Sequence, residues 1–264
     1  MKTAVFSDIH ANPAALQKAL NSARRLGCKK FICCGDVVGY GYAPNECIEI
    51  CKRNDIECIK GNHDAALVGE LSLDWFNPVA RDGVLRNRPL VTDENRKWLE
   101  HLPYTITRQF GTIKIAFSHG TYAFPERFDY IDDQYSAKTE MDSIRNDGID
   151  ALFIGHTHGA GMYARSTSDD TNLTYGQLPK SMTKRFAQEF GYSEAIYNVG
   201  SVGYPRRCLY STYAIIDDGK GLVEWRRLPF DYLGYRDSMG AQGIPLPVWM
   251  SARISFLGDS GEAE

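Results

Sequence analysis

The chain has 264 residues, 43% of them hydrophobic, and a formal net charge of −3 with acids and bases interleaved. That is enough apolar material for a real core, and the whole of 1–264 reads as a single domain. The mixed charge excludes a basic stripe for bulk nucleic-acid binding, and no apolar run nears the ~20 residues of a membrane span.

Met1-Lys2-Thr3-Ala4-Val5-Phe6-Ser7-Asp8 enters a strand pattern at once. This leaves no room for a signal peptide, so the expected location is the cytoplasm. Strand one is read over Thr3 to Ser7. Asn12 then offers a helix N-cap and Pro13 suits the first helical position. Ala15, Leu16, Ala19, Leu20, Ala23 and Leu26 mark one helical face, which Gly27 can close. Strand two is Phe31 to Cys34, followed by a glycine-rich loop from Gly35 to Ala43 and a helix starting near Pro44. Strand three is placed over Glu57 to Lys60. Alternation at this spacing implies parallel strands joined by right-handed crossovers. Their loops then open at one edge, where α/β proteins place ligands.

Residues 65–102 read as helices, the last from Thr92 to Leu102. Tyr104–Phe110 and Thr112–Ser118 form a predicted hairpin turning at Gly111. A helix near Gln134–Arg145 and a strand over Ala151–Ile154 follow. The stretch 166–195 changes character. Ser166 to Asn172 is a polar loop and Ser181–Phe190 a candidate short helix, so the segment reads as an insertion or cap. Strand patterns return at 209–216 and 221–228, and 258–264 reads as a loose acidic tail. Seven cysteines in a cytosolic chain read as buried free thiols; Cys47 and Cys51 lack Cys-x-x-Cys spacing.

Five of the six histidines lie in a set of short polar clusters: Asp8-Ile9-His10, Gly35-Asp36, Gly61-Asn62-His63-Asp64, Ser118-His119-Gly120 and Gly155-His156-Thr157-His158. Nearly every cluster follows a short apolar run, at the point where a strand should end. Only His101 stands outside them, as a capping or surface residue near a helix end. Carboxylate and amide oxygens suit hard divalent ions, and imidazole suits borderline ones such as zinc, manganese or ferrous iron. Asp8, His10, Asp36, Asn62, His119, His156 and His158 exceed the usual needs of one ion and suit a pair of ions sharing a carboxylate. Taken singly, Asp-x-His reads as a strand-end cap, Gly-Asp as a turn and Asp64 as a helix N-cap. Their order and strand-end placement together point to metal.

These five clusters, with Gly39 completing Gly35-Asp36-x-x-Gly39, resemble in order the signatures of the calcineurin-like metallophosphoesterases, over roughly residues 1–228. The resemblance implies a four-layer α-β-β-α sandwich, an α/β (α+β) fold of two mixed sheets flanked by helices. It implies two divalent metal ions, with manganese favoured and iron, zinc, nickel and cobalt as alternatives. Asp8, His10 and His158 would hold the first, Asn62, His119 and His156 the second, and Asp36 would bridge. A metal-bridging hydroxide would then attack phosphodiester or phosphoanhydride bonds of a small phosphorylated substrate. His63 would stabilise the phosphoryl group and protonate the leaving oxygen, and Asp64 would hold its imidazole. Asn198-Val199-Gly200-Ser201-Val202-Gly203-Tyr204-Pro205-Arg206 resembles a segment of the branch that includes YfcE-like phosphodiesterases and diadenosine tetraphosphate hydrolases. Val199 stands where that branch has proline. Dinucleoside polyphosphates are therefore candidate substrates. Arg206 and Arg207 are candidate phosphate grips, and Tyr40, Tyr42, Tyr122 and Tyr204 are core or rim tyrosines that could stack on a base. Two other readings stay open: a protein serine/threonine phosphatase on the same site, and a non-catalytic scaffold that kept the fold.

Overall fold

A computed structural model describes residues 1–166, 173–177, 183–185, 192–206 and 209–260. The chain opens as expected: β1 (Lys2–Phe6), α1 (Pro13–Arg25), β2 (Lys30–Cys33), α2 (Pro44–Arg53), β3 (Ile56–Cys58). Asn12 caps α1, its side-chain oxygen accepting the Ala15 N–H at 3.2 Å. Three helices follow, α3 (Asn62–Val68), α4 (Pro78–Asn87) and α5 (Asp93–Glu100). Next come the hairpin β4 (Thr105–Phe110) and β5 (Ile113–Ser118), then α6 (Gln134–Asn146) and β6 (Ala151–Ile154). The rest comprises β7 (Gly161–Ser166), β8 (Leu173–Gln177), β9 (Thr183–Arg185), β10 (Tyr192–Asn198), β11 (Tyr210–Asp217), β12 (Leu222–Pro229), α7 (Tyr232–Ala241) and α8 (Val248–Ser260).

Two six-stranded mixed sheets result, ordered β3-β2-β1-β11-β12-β9 and β4-β5-β6-β10-β7-β8. Each holds a parallel trio, β3-β2-β1 in one and β5-β6-β10 in the other. Period-two alternation sorts the side chains into layers. Val5, Ile32, Phe117, Phe153, Tyr197 and Trp225 meet between the sheets. Ala4, Phe6, Phe31 and Cys33 face the other way and pack on α1 and α2. Ala116, Leu152 and Ile154 pack on Met141 and Ile144 of α6. This is the expected four-layer sandwich.

Three local expectations change. Strand three ends at Cys58 rather than Lys60, because the Lys60 N–H turns away to the Pro103 carbonyl at 2.8 Å and its ammonium pairs with Glu70 at 2.6 Å. Within the expected helix over 181–190, Thr183–Arg185 are a strand, paired on the outer side of β12. The described parts of 166–195 are strands, with β8 and β9 at sheet edges and β10 between β6 and β7; 167–172, 178–182 and 186–191 lie outside the described residues. The tail expected from 258 is helical as far as Ser260, and 261–264 lie outside the described residues.

Helices α7 and α8 were not anticipated. Asp231 caps α7, accepting the Gly234 N–H at 2.8 Å, and Tyr232, Tyr235 and Met239 bury one face of it. Together with Met250 and Ile254 they form a third core cluster that reaches Tyr40 and Tyr204. No helix among the described residues is long and apolar enough to cross a membrane. The six described cysteines are free and buried, and Cys208 lies outside the described residues.

Phe153 is fully buried between Phe117 and Tyr197, with ring centroids at 5.5 and 4.9 Å. Phe153→Ala should therefore cost about 3–5 kcal/mol, read as a lowered urea midpoint at unchanged slope.

Candidate metal centre

The ends of five strands deliver the polar clusters to one place. Phe6 pairs with Cys33 and Cys33 with Cys58 across the first parallel trio. Phe117 pairs with Phe153 and Ile154 with Asn198 across the second. Rows that end in register release their loops side by side. The first two loops stay zipped beyond the strands. The Asp8 N–H donates to the Gly35 carbonyl at 3.0 Å, His10 to Asp36 at 2.9 Å and Ala11 to Val37 at 2.9 Å. The segment after β10 clamps the Asp8 loop from the other side. Gly203 N–H and the Ser201 hydroxyl both donate to the Asp8 carbonyl at 2.9 Å. Asn198 donates to the Gly155 carbonyl at 2.7 Å, which holds the loop of His156 and His158.

Seven expected ligands converge, and the tautomers of three imidazoles follow from their surroundings. His10 Nδ1 lies 3.1 Å from the Val38 carbonyl, His119 Nδ1 2.6 Å from that of Cys34, and His158 Nδ1 2.6 Å from that of Tyr204. A carbonyl only accepts, so each Nδ1 carries a proton and each ring turns its Nε2 inward, as a lone pair whenever the ring is neutral. Each Nε2 meets further acceptors. His10 and His158 Nε2 are 3.1 Å apart. Asp8 Oδ1 lies 3.2 Å from His158 Nε2 and 3.6 Å from His10 Nε2, buried and without a hydrogen-bond partner among the described residues. Asp36 Oδ2 lies 3.3 Å from His119 Nε2 and 3.6 Å from His10 Nε2, while its Oδ1 accepts the His63 N–H at 2.8 Å. Asn62 Oδ1 faces His119 Nε2 at 3.1 Å.

Buried acceptors aimed at one another are costly unless a cation lies between them. The donor set therefore fits metal. Asp8–His10–His158 and Asp36–His119–His156 are two such trios, and Asp36 stands between them. A third trio, His10–Asp36–His63, is equally close. Five of the seven residues, Asp8, His10, Asp36, His156 and His158, hold left-handed backbone angles with φ between 50° and 64°. Such strain costs about 1–3 kcal/mol per residue and clusters at functional sites.

Burial opposes charge throughout this cage, and neighbours decide the outcome. It resists ionisation of Asp8, yet His158 and His10 hold that carboxylate well below its ordinary range. Burial likewise disfavours a charged His119, but the Asp36 carboxylate overrides it and raises the imidazole to about 9. His156 and His158 are lowered to about 3 and about 4, chiefly by burial, and burial also lowers His63 well below the usual imidazole value.

The remaining expected residues separate. His63 is buried, packed edge-on to Phe76 at 5.1 Å, and its Nδ1 has no hydrogen-bond partner among the described residues. Gly39 abuts it so closely that a Cβ there would strike the ring. Among the described residues Asp64 makes its hydrogen bonds to backbone rather than to that imidazole. Its oxygens accept the backbone N–H groups of Gly61 at 2.9 Å, Val38 at 3.1 Å and Val37 at 3.3 Å, tying the start of α3 to the Asp36 loop. Burial, then Asp36, raises Asp64 to about 7. Arg206 does reach the site. It hydrogen-bonds the Tyr40 hydroxyl, lies over the Tyr40 and Tyr204 rings at 5.1 and 5.7 Å, and lines a small cavity of about 50 Å³ with Asp36, Asn62 and His63. Tyr40 is packed parallel to Tyr204 at 4.2 Å and against His63 at 4.6 Å, so its ring supports the site rather than offering a face to a base. Tyr122 bonds Asp147 at 2.8 Å and Tyr42 packs on Tyr235. Arg207 lies outside the described residues. His101 caps α5 on the surface as expected, its Nδ1 2.6 Å from the Lys97 carbonyl.

Residues without a motif complete the rim. Tyr130 stacks on His156 at 3.9 Å and 7°, and Trp75, Phe76 and Asn77 line the cavity. Asn87 holds the loop of Gly39 and Gly41 by two hydrogen bonds. They lie in or beside connecting loops, where periodicity carries no signal.

A buried cage of imidazole and carboxylate donors at the strand ends of a two-sheet sandwich defines the class as a fold built to hold divalent metal. Comparison with known proteins agrees. The model of the calcineurin-like phosphoesterase superfamily domain matches residues 1–220. Over 258 residues the chain is 33% identical to an uncharacterised protein of Methanocaldococcus jannaschii, covering 97% of each. A metallophosphoesterase from Sphaerobacter thermophilus superposes with a TM-score of 0.77 at 29% identity, covering 95% of this chain and 97% of that one. A hypothetical protein from Pyrococcus horikoshii shares the fold, with a TM-score of 0.70 at 18% identity over 92% of this chain and 94% of that one. The chain belongs to the calcineurin-like phosphoesterase superfamily.

The metal-free protein should be most stable near neutral pH. Below the ordinary imidazole value of about 6.5, His63, His156 and His158 take up protons on unfolding, outnumbering Asp64, which releases one. Stability therefore rises with pH up to that point. Above it, His119 keeps its proton only in the folded state, so stability falls as pH rises through about 9. Thermal melts of chelator-treated protein from pH 4 to 10 should trace this maximum, and manganese should flatten its alkaline side because ligation needs neutral imidazole.

Proposed function

We propose that this protein is a two-metal phosphoesterase acting on phosphodiester or phosphoanhydride bonds of a small phosphorylated molecule, with dinucleoside polyphosphates among the substrates to test. The observation that carries the reading is the shared carboxylate, Asp36, whose Oδ2 faces His10 on one side and His119 on the other. Asp8, His10 and His158 would hold one cation and Asn62, His119 and His156 the other, with Asp36 common to both. The mixture of imidazole with oxygen donors suits manganese, iron, zinc, cobalt or nickel better than magnesium or calcium. Two such cations supply Lewis acidity toward phosphoryl oxygens and acidify a bound water to near neutral pKa. The likeness to the Sphaerobacter thermophilus metallophosphoesterase supports the same chemistry.

The protein's own groups divide the remaining work. Arg206, braced by Tyr40 and Tyr204, offers a fixed fork to phosphate oxygens that no cation holds. Tyr40 is then a positioning residue. His63 lines the cavity, its buried Nδ1 turned to Gly39 and without a hydrogen-bond partner among the described residues, and a phosphoryl group beside the ring would provide the negative charge that favours its protonated form. It takes the role of stabilising that group and protonating the leaving oxygen. Asp64 acts one step back, by anchoring the turn that carries Asn62 and His63 to the Asp36 loop.

Manganese-loaded protein should hydrolyse bis-p-nitrophenyl phosphate, and chelation should abolish the release of p-nitrophenolate. A folded sample holding two manganese ions but inert toward diesters and anhydrides alike would refute the assignment. His63→Ala should keep both ions by elemental analysis while losing about 10²–10⁴-fold in turnover, most severely with poor leaving groups. Loss of an ion instead would make His63 a ligand, as the His10–Asp36–His63 trio also permits.

A further inference from the structure

The metal cage opens on one side into a larger cleft of about 510 Å³. Asn62 and His156 border both spaces, as do Trp75, Phe76 and Tyr130. A molecule with its phosphate at the cage therefore reaches the cleft without a break. The walls come from the segment after α3, with Leu71, Trp75 and Phe76, and from residues 126–130 beyond β5. Neither segment carries a motif.

Size, ring chemistry and charge define the occupant. The volume falls in the range of about 300–1,000 Å³ typical of small-molecule sites. Trp75 is 85% exposed and Tyr130 51% exposed, yet one face of Tyr130 is already spent on His156. The phenol ring is thus held beside a metal ligand with its other side available to the cleft. Large aromatic surfaces left bare next to a reaction site suit a planar partner that stacks. At the rim, Arg127 is paired with Asp129 at 3.0 Å, and Glu126 adds a further acid. Arg206 lies on the cage side instead. Among the described residues the one cation lining the cleft is thus already paired, so its walls favour a neutral ring over additional phosphates.

We propose that this cleft binds the base of a nucleoside esterified directly to the reacting phosphate, with Trp75 and Tyr130 as its stacking walls. The proposal rests on the phosphoesterase reading and narrows it to nucleotide esters with a single phosphate between ribose and cage. Adenosine 5′-monophosphate and ribose 5-phosphate share phosphate and sugar and differ only in the base. Calorimetric titration of manganese-loaded protein should find the nucleotide bound more tightly by on the order of ten- to hundredfold. Trp75→Ala and Tyr130→Ala should each remove most of that ratio, and Trp75→Phe should retain most of it. The nucleotide should also quench indole emission in the wild-type protein and much less in Trp75→Phe, a readout that needs no turnover. Equal affinities, binding of neither ligand at millimolar concentration, or a ratio untouched by both alanine variants would overturn the proposal. Base-dependent binding without hydrolysis of any ester would uphold the cleft and refute the phosphoesterase reading. Hydrolysis with equal affinities would do the reverse.

Discussion

The site depends on one constraint: imidazole edges held so that their lone pairs point at carboxylates. Backbone carbonyls of Val38, Cys34 and Tyr204 claim the Nδ1 protons of His10, His119 and His158, leaving Nε2 free to face Asp8 and Asp36. Once deprotonated, such an Nε2 confronts a carboxylate as acceptor against acceptor in a buried space, and a cation is the natural remedy. The same confrontation explains the contrasting proton affinities. At His119 the pull of Asp36 outweighs burial; at His156 and His158 burial prevails. Five ligands in left-handed backbone conformations add strain to that electrostatic cost. The surrounding fold must over-determine both.

It does so with backbone rather than bulk. The Asp8 and Asp36 loops continue the parallel pairing of β1 and β2 beyond the sheet, and the segment after β10 grips the Asp8 carbonyl from the far side. Asp64 belongs to this bracing: three N–H groups converge on its carboxylate, and each comes from a turn adjoining Asp36 or Asn62. Closely packed glycines let the loops touch. Gly155 lies against Ser7 and Asp8, and Gly39 leaves room for the ring of His63. The helices at the C-terminal end support Tyr204 and Tyr40, and through them Arg206. A sandwich that holds its metal ligands rigidly can vary its rim, and here the rim is aromatic.

Much of this is legible in the sequence. Alternating apolar runs with helical spacing between them marked the strands and helices that carry ligands, because each buries one face against a neighbouring layer. The seven candidate ligands stood out because strand-end clusters of histidine and acid have few structural uses in such numbers. Less legible were elements defined by partners far along the chain. Thr183–Arg185 are a strand because β12 offers an open edge, a fact with no local trace. Helix α7 did leave a trace, the cap at Asp231 before Tyr232, Tyr235 and Met239, which reads as one buried stripe.

What the sequence alone determined is the chemistry available: which imidazoles, carboxylates and amides follow which strands, and hence that divalent metal is their common target. Residue type and period are local properties, and they suffice for that. Only the tertiary structure decided the division of labour. It placed Asp36 between two candidate donor trios, gave Asp64 backbone N–H groups to brace, and set Tyr130 and Trp75 at the rim. Those outcomes depend on which loops meet, and contacts between residues a hundred positions apart are set by the packing of whole sheets rather than by any stretch of chain.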